Sequence, residues 1–513
     1  MRNTDFRENC IVSRNVYSVL ITLGLFAGLP AAIVCGGSPP VLPIQLGPQT
    51  AGAESGAALL ARHGMVPDGV GFLLYDMEAG AVLAAHGRDR GYIPASTGKV
   101  PTVMAALDVL GPDYRYRTHL LRDGSIADGV LEGDLYLRGE GDPRFTLADL
   151  TRLAERLRVA GVREVAGGFF YDDSALFRAP EIDTGMQVDA AYNPGLSALS
   201  IESNTMLANW SKKKNGGIDV LLTPDVPGNR TGTASAPLPK DVKFTFRREE
   251  RRDVWLISPA IKSRFGGKRL PVKNPARYTA EIFARLCEMR GIRIGQPTFR
   301  ETPNGATTVA VHTGRPLSEL SERILAYSDN LMTELVLLKA AGAISGRKLD
   351  LAQAGEVLKQ YWSERLPGIA WDSFDMRNGS GLTSASRITP EQMLGILLYA
   401  ARRRPGDVDF HTMLPISGWR GSLGGRLVYA DTALRVYAKT GTINYAVSLA
   451  GYLYSRQGRK LAFVVFVNDF GARRAYERDP ARLSKPVQKK ANKWIRSAKS
   501  KIDSLLAEWI RRN

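Results

Sequence analysis

Three short motifs stand in one order along this chain: Ser96-Thr97-Gly98-Lys99, Ser328-Asp329-Asn330 and Lys439-Thr440-Gly441. If they act as one site, the fold must bring them together, and the first two lie 232 positions apart. That separation requires a large inserted region, long enough for one or two small domains. Ser96 and Lys99 are three residues apart, so on a helical turn they share a face. A serine hydroxyl is a weak nucleophile until a neighbouring base takes its proton. Lysine can be that base when burial or a second cation holds its amine neutral. Each motif alone has a plainer reading: a capping serine before a surface lysine, a polar helix cap, an edge strand. Their combination in this order is what points to nucleophilic catalysis.

The surrounding sequence assigns each motif to an element. Pro94 disfavours helix just before Ser96, and the mostly apolar stretch from Val100 to Leu110 predicts a helix there. Ser96 is expected at or near its N-terminus as a cap, where the helix end favours a developing oxyanion. Leu317, Leu320, Ile324 and Leu325 precede the second motif, and Leu331, Leu335 and Leu338 follow it. This predicts helix, short connection, helix. β-Branched and aromatic residues around Lys439-Thr440-Gly441 predict a strand, with the glycine permitting close approach of a ligand backbone. Ala446 to Tyr454 and Lys460 to Val467 read as two further strands joined by the turn at Gln457-Gly458, extending one antiparallel sheet. Val70 to Tyr75 and Ala81 to Ala85 read as a hairpin leading into the Ser96 helix.

Together the motifs resemble those of the penicilloyl-serine transferases. More closely, the chain is similar to the class C low-molecular-mass penicillin-binding proteins, D-Ala-D-Ala carboxypeptidases and endopeptidases with a large inserted region. Asn378-Gly379-Ser380-Gly381-Leu382-Thr383 and the stretch from Leu414-Pro415-Ile416 to Gly421-Ser422-Leu423 carry the resemblance further. So do Gly141-Asp142-Pro143 and Leu196-Ser197-Ala198-Leu199-Ser200. Two positions depart from the family pattern: Asn378 and Arg420 stand where acids are usual.

The resemblance implies an α/β (α+β) transpeptidase fold of the penicillin-binding-protein and β-lactamase type. An antiparallel sheet is covered by helices, and the inserted region is mainly β. It implies that Ser96 carries the acyl group and that Lys99 is the acylation base. Ser328 would relay the proton to the leaving amine, and Asn330 would hold the substrate amide and Lys99. Lys439 would keep Lys99 neutral and attract the substrate's terminal carboxylate, which Thr440 would hydrogen-bond. Gly441 completes that motif, and the backbone N–H groups of Ser96 and Thr442 would form the oxyanion hole. Peptidoglycan stem peptides are the implied substrates, and β-lactams such as penicillin the acylating mimics. Asp172, or Asp173 beside it, resembles an acid that some relatives use to contact the substrate's diamino-acid side chain. A β-lactamase or esterase on the same scaffold, and a non-catalytic cell-wall binding protein, remain as alternatives.

The expected domains are 1–36 as signal peptide or membrane anchor, 37–53 as linker, 54–110 with 304–480 as a discontinuous catalytic domain, 111–303 as the insert, and 481–513 as a basic amphipathic helix. Val16 to Val34 is an uncharged apolar run preceded by Arg2, Arg7 and Arg14, which predicts export by a cleaved signal, with a retained anchor as the alternative. The expected location is periplasmic or otherwise extracytoplasmic. Cys10, Cys35 and Cys287 form neither a disulfide framework nor a metal spacing. The five histidines are scattered singly, so neither metal nor cofactor is expected. The net charge of +18 calls for an anionic partner. No zinc-finger or RNA-recognition signature supports nucleic acid, and peptidoglycan or an anionic membrane surface fits better. In the tail, Val487, Ala491, Trp494, Ile495, Ala498, Ile502, Leu505, Leu506 and Trp509 recur at helical spacing opposite a cationic face. That stripe suits a membrane interface, or packing against the main domain. The charge cluster Arg247 to Arg252 is expected in a solvated loop.

Overall fold

Near-continuous burial, on both faces, marks the inner strands of the sheet that carries the third motif. The computed structural model describes residues 41–513, apart from 43, 45, 51–53, 239–241 and 250–251. The expected signal or anchor at 1–36 lies outside the described residues. Strands Val436–Ile443, Ala446–Tyr454, Lys460–Asn468, Val70–Asp76 and Ala81–His86 lie side by side in that order, each antiparallel to its neighbours. Leu73, Tyr75, Val464 and Phe466 face one side. Phe72, Leu74, Phe463 and Val465 face the other, as the two-residue period of a strand requires.

Helix Pro390–Arg402 covers the first face, where Tyr452 Oη donates to Leu397 O at 2.6 Å. Helices Lys99–Leu110 and Asn330–Ser345 pack against each other in the same core. Both are apolar nearly all round, which marks them as central rather than surface helices.

Helix Lys485–Arg512 covers the second face. Ile502, Leu505, Leu506, Trp509 and Ile510 are buried there against Phe72, Phe463 and Val465. The C-terminal half of the tail's apolar stripe is therefore packed on the sheet, with Trp494 and Ile495 half-buried at its edge. Among the described residues, no helix is long and apolar enough to cross a membrane.

The insert is built on a second five-stranded sheet. Its strands run Thr298–Phe299, Phe169–Asp172, Leu135–Gly139, Arg115–Arg122 and Thr307–Pro316. Smaller sheets follow, and helices Leu147–Val159 and Pro275–Glu288 share the insert's own core. Thr307–Pro316 was expected on the catalytic side of a boundary at 304. It pairs with Arg115–Arg122 instead, so the inserted sheet continues up to helix Leu317–Tyr327.

Other expectations also shift. Leu42, Ile44 and Thr50, expected within a linker, lie against the catalytic half: Leu42 N–H donates to Arg365 O at 3.0 Å, Thr50 N–H donates to Val82 O at 3.0 Å, and Ile44 is buried. Arg247 to Glu249 and Arg252 are exposed, but they end the paired strands Phe244–Glu249 and Arg252–Ile257 rather than forming a loop.

Candidate active site

Ser96 sits in one 3₁₀ turn, Ala95–Gly98, immediately before helix Lys99–Leu110. It makes no capping bond, contrary to the expectation from sequence. Ala95 has φ 46°, a left-handed conformation that costs an alanine about 1–2 kcal/mol. The surroundings hold it there. Ile93 N–H donates to Asn468 Oδ1 at 2.8 Å, and Pro94 O accepts from Ser448 Oγ at 2.5 Å and from Thr97 Oγ1 at 2.7 Å.

Lys99 is fully buried. Its Nζ lies 3.1 Å from Ser96 Oγ, 2.8 Å from Asn330 Oδ1 and 2.8 Å from Ser380 O. Burial pulls its pKa down to about 7, against the upward pull of the Glu334 and Asp329 carboxylates. The amine is thus poised to act near neutral pH.

The second motif lies at a helix–helix joint. Ser328 ends helix Leu317–Tyr327 in a left-handed conformation, φ 64°. The Asp329 side chain caps the next helix by accepting from Met332 N–H at 3.0 Å. Asn330 opens that helix, and its Nδ2 donates to Tyr192 O of the insert at 3.0 Å. The middle residue is therefore structural, and its two neighbours face the site.

Lys439 lies on the sheet's edge strand, wholly buried, with Nζ 3.1 Å from Ser328 Oγ and 2.9 Å from Thr440 O. Burial, and then the charge of Lys99, holds it well below the usual lysine value. Thr440 Oγ1 donates to Ser422 Oγ at 2.7 Å. Gly441 lies against the nucleophile's loop, and Thr442 is exposed at the cleft.

The cleft holds about 870 Å³. Ser96, Ser328, Asn330 and Thr442 line one side. Asp183 to Asp189 and Tyr192 of the insert line another, with Arg473, Tyr476 and Arg482. Ser96, Lys99 and Asn330 form one hydrogen-bonded group and Ser328 with Lys439 a second, with Thr440, Gly441 and Thr442 beside them.

Some candidates stay outside. The Asp172 carboxylate accepts from the backbone N–H and hydroxyl of Ser174 and from Thr302 N–H, and Asp173 from Ser197 Oγ. Neither lines the cleft. Asn378 Oδ1 accepts from the N–H groups of Gly381 (2.9 Å) and Leu382 (3.2 Å). That cap needs only an acceptor oxygen, so an amide serves as well as an acid. Arg420 bonds Glu322 at 2.6 Å, away from the cleft lining. Among the described residues, no group of three or more His, Cys, Asp or Glu is placed to hold a metal ion.

Two elements escaped the sequence. The insert loop from Asp183 to Tyr192 carries no motif. Glu334 does carry a signal: it stands four residues after Asn330, hence on the same helical face. Its buried carboxylate accepts from the N–H groups of Gly379 (2.8 Å) and Ser380 (2.9 Å).

Known proteins share this arrangement of chain. Over 423 residues the sequence is 26% identical to the D-alanyl-D-alanine carboxypeptidase DacB of Haemophilus influenzae, covering 79% of this chain and 87% of that one. Over 434 residues it is 26% identical to the D-alanyl-D-alanine carboxypeptidase of Actinomadura sp. (strain R39), covering 78% and 77%. The fold matches the crystal structure of penicillin binding protein 4 (dacB) from Haemophilus influenzae with a TM-score of 0.70 at 23% identity, over 86% of this chain and 98% of that one. The sequence profile of the D-Ala-D-Ala carboxypeptidase 3 (S13) family matches residues 57–484, most of the chain, and the protein belongs to that family.

Proposed function

We propose that this serine D-Ala-D-Ala carboxypeptidase works through an acyl-enzyme on Ser96 with Lys99 as the base. The hydrogen-bond count at Lys99 carries the reading. A neutral lysine amine has two N–H bonds and one lone pair. Asn330 Oδ1 and Ser380 O can only accept, and together they take both N–H bonds. The lone pair is left for the Ser96 hydroxyl proton.

Ser96 Oγ bonds to the carbonyl carbon of the penultimate D-Ala, and the bond to the terminal D-Ala breaks. The Ser96 proton goes to Lys99 and then, by way of Ser328, to the departing amine. Water cleaves the resulting ester and restores both groups. Lys439 and Thr440 take the substrate's terminal carboxylate. Amides of Ser96 and Thr442 take the oxyanion, where each donor contributes about 2.7–4 kcal/mol. The same steps cut a cross-link when the departing amine belongs to a second stem peptide, so endopeptidase activity is part of the reading. β-Lactams acylate Ser96 by the same attack.

The substrate places the enzyme outside the cytoplasm, periplasmic or otherwise extracytoplasmic. With most of its apolar stripe packed on the sheet, the C-terminal helix offers a membrane surface mainly charge: Lys489, Lys490, Lys493 and Arg496 are exposed on its outer side.

The test is intact mass of protein lacking residues 1–36 after incubation with benzylpenicillin, beside a Ser96→Ala control, followed by D-Ala release from stem peptides. A stable adduct in the parent alone, with D-Ala release, is expected. No adduct with rapid drug loss points to a β-lactamase. No adduct with the drug intact points to a binding protein.

A further inference from the structure

The helix that brings Asn330 to Lys99 brings Glu334 one turn further on. Glu334 is wholly buried and pairs with no arginine, lysine or histidine side chain through an ion pair among the described residues. One carboxylate oxygen accepts from Gly379 N–H and the other from Ser380 N–H, which fixes the turn in both position and orientation. The carbonyl of the same Ser380 accepts from Lys99 Nζ at 2.8 Å. One helix thus supplies two of the three fixed points around the base: Asn330 directly, and the Ser380 carbonyl through Glu334.

We propose that Glu334 is a positioning residue for acylation, holding the Gly379–Ser380 turn against Lys99 and supplying the counter-charge that governs when Lys99 gives up its proton.

The charges around Lys99 support this. Glu334 and Asp329 face it from the second-motif helix and its cap, and Lys439 from the edge strand. Asp329 already serves as a cap, and Lys439 opposes a charge on Lys99 rather than balancing it. Burial drives Glu334 upward, towards its neutral form, while the two amides and Lys99 favour the carboxylate. A carboxylate here favours the ammonium form of Lys99. Removing the negative charge lets Lys99 lose its proton at lower pH. Removing one acceptor oxygen loosens the turn and slows the step at every pH.

The inference rests on Lys99 as the base, and one experiment separates the two. The rate of Ser96 acylation by benzylpenicillin is measured from pH 5 to 9 for the parent, Glu334→Gln and Glu334→Asp, with circular dichroism checking the fold. A parent with no acid limb near neutrality sinks Lys99 as the base. Given that limb, Glu334→Gln is expected to move it down by about one pH unit and lower the plateau. Glu334→Asp, which keeps the charge on a shorter arm, is expected to lower the plateau and leave the limb in place. A Glu334→Gln limb at the parent position overturns the inference, whatever happens to the plateau. If Glu334→Gln does not fold, protein labelled with ¹³C at the glutamate carboxyls decides. A carboxyl signal that steps at the limb's midpoint, and no longer does so in Lys99→Met, supports the inference; signals flat through that pH overturn it.

Discussion

Gly441 approaches Pro94 so closely that a Cβ on the glycine would lie 2.6 Å from Pro94 O and 3.0 Å from Ser96 N. Ser448, opposite Gly441 on the neighbouring strand, donates to the same carbonyl. The edge strand and the nucleophile's loop are therefore in contact through backbone, with no room for a side chain. Gly441→Ala must displace the Ser448 hydroxyl, the first atom its Cβ meets, and with it the Pro94 carbonyl and the Ser96 turn. Displacements near 1 Å in a positioned site cost on the order of a hundredfold in rate. The acylation rate with benzylpenicillin is expected to fall by about that factor while the melting temperature drops modestly. A rate loss matched by wholesale unfolding would place the glycine's role in stability instead.

Acylation should rise with pH through the neutral range. Lys99 must be neutral to take the Ser96 proton, and burial lowers its pKa to about 7. Below that value the amine is protonated and the base is absent; above it the rate levels off. The expected acid limb of the rate constant for acylation has its midpoint near 7. A rate constant flat from pH 5 to 9 would show that the base is another group.

How much of this was legible in the sequence follows from the range of each interaction. Helix Lys99–Leu110 and the strands after Lys439 were readable to within a residue or two, because periodicity and turn residues are local. The motifs were readable because their residue types carry the chemistry. The pairing of Thr307–Pro316 with Arg115–Arg122 was not, since nothing in either segment names a partner nearly two hundred residues away. Glu334 lay in plain view at helical spacing from Asn330, yet a single glutamate in an apolar helix gives no hint of which amides it will meet. Asn378 read as a departure from the family pattern, and the structure makes it a cap for two amides.

Ser328 and Asn330, two residues apart, reach the two buried lysines separately: the Ser328 hydroxyl lies 3.1 Å from Lys439 Nζ, and Asn330 holds Lys99. Ser328→Ala removes the relay without leaving a buried charge unpaired, because Lys439 keeps its bond to Thr440 O. A positioned proton-transfer group contributes roughly 10²–10⁴-fold. Acylation is expected to slow within that range with the melting temperature nearly unchanged. A change under threefold would remove Ser328 from the relay.

The C-terminal helix should behave as a structural element. Trp509 is 3% exposed, with its ring 5.7 Å from that of Phe72 on the sheet. Replacing a buried tryptophan by alanine removes apolar contact and leaves a cavity, a loss of about 3–5 kcal/mol. Trp509→Ala is therefore expected to lower the denaturant midpoint strongly. Lys489→Glu and Lys493→Glu lie on the exposed side and should change stability by no more than about 0.5 kcal/mol. Vesicle sedimentation separates the packed helix from a membrane-inserted one. Insertion through the apolar stripe predicts that Trp509→Ala loses vesicle binding while stability holds. A helix packed on the sheet predicts the reverse: stability falls, and whatever binding exists to anionic vesicles responds to the lysine substitutions and to salt, because only the cationic side reaches the lipid.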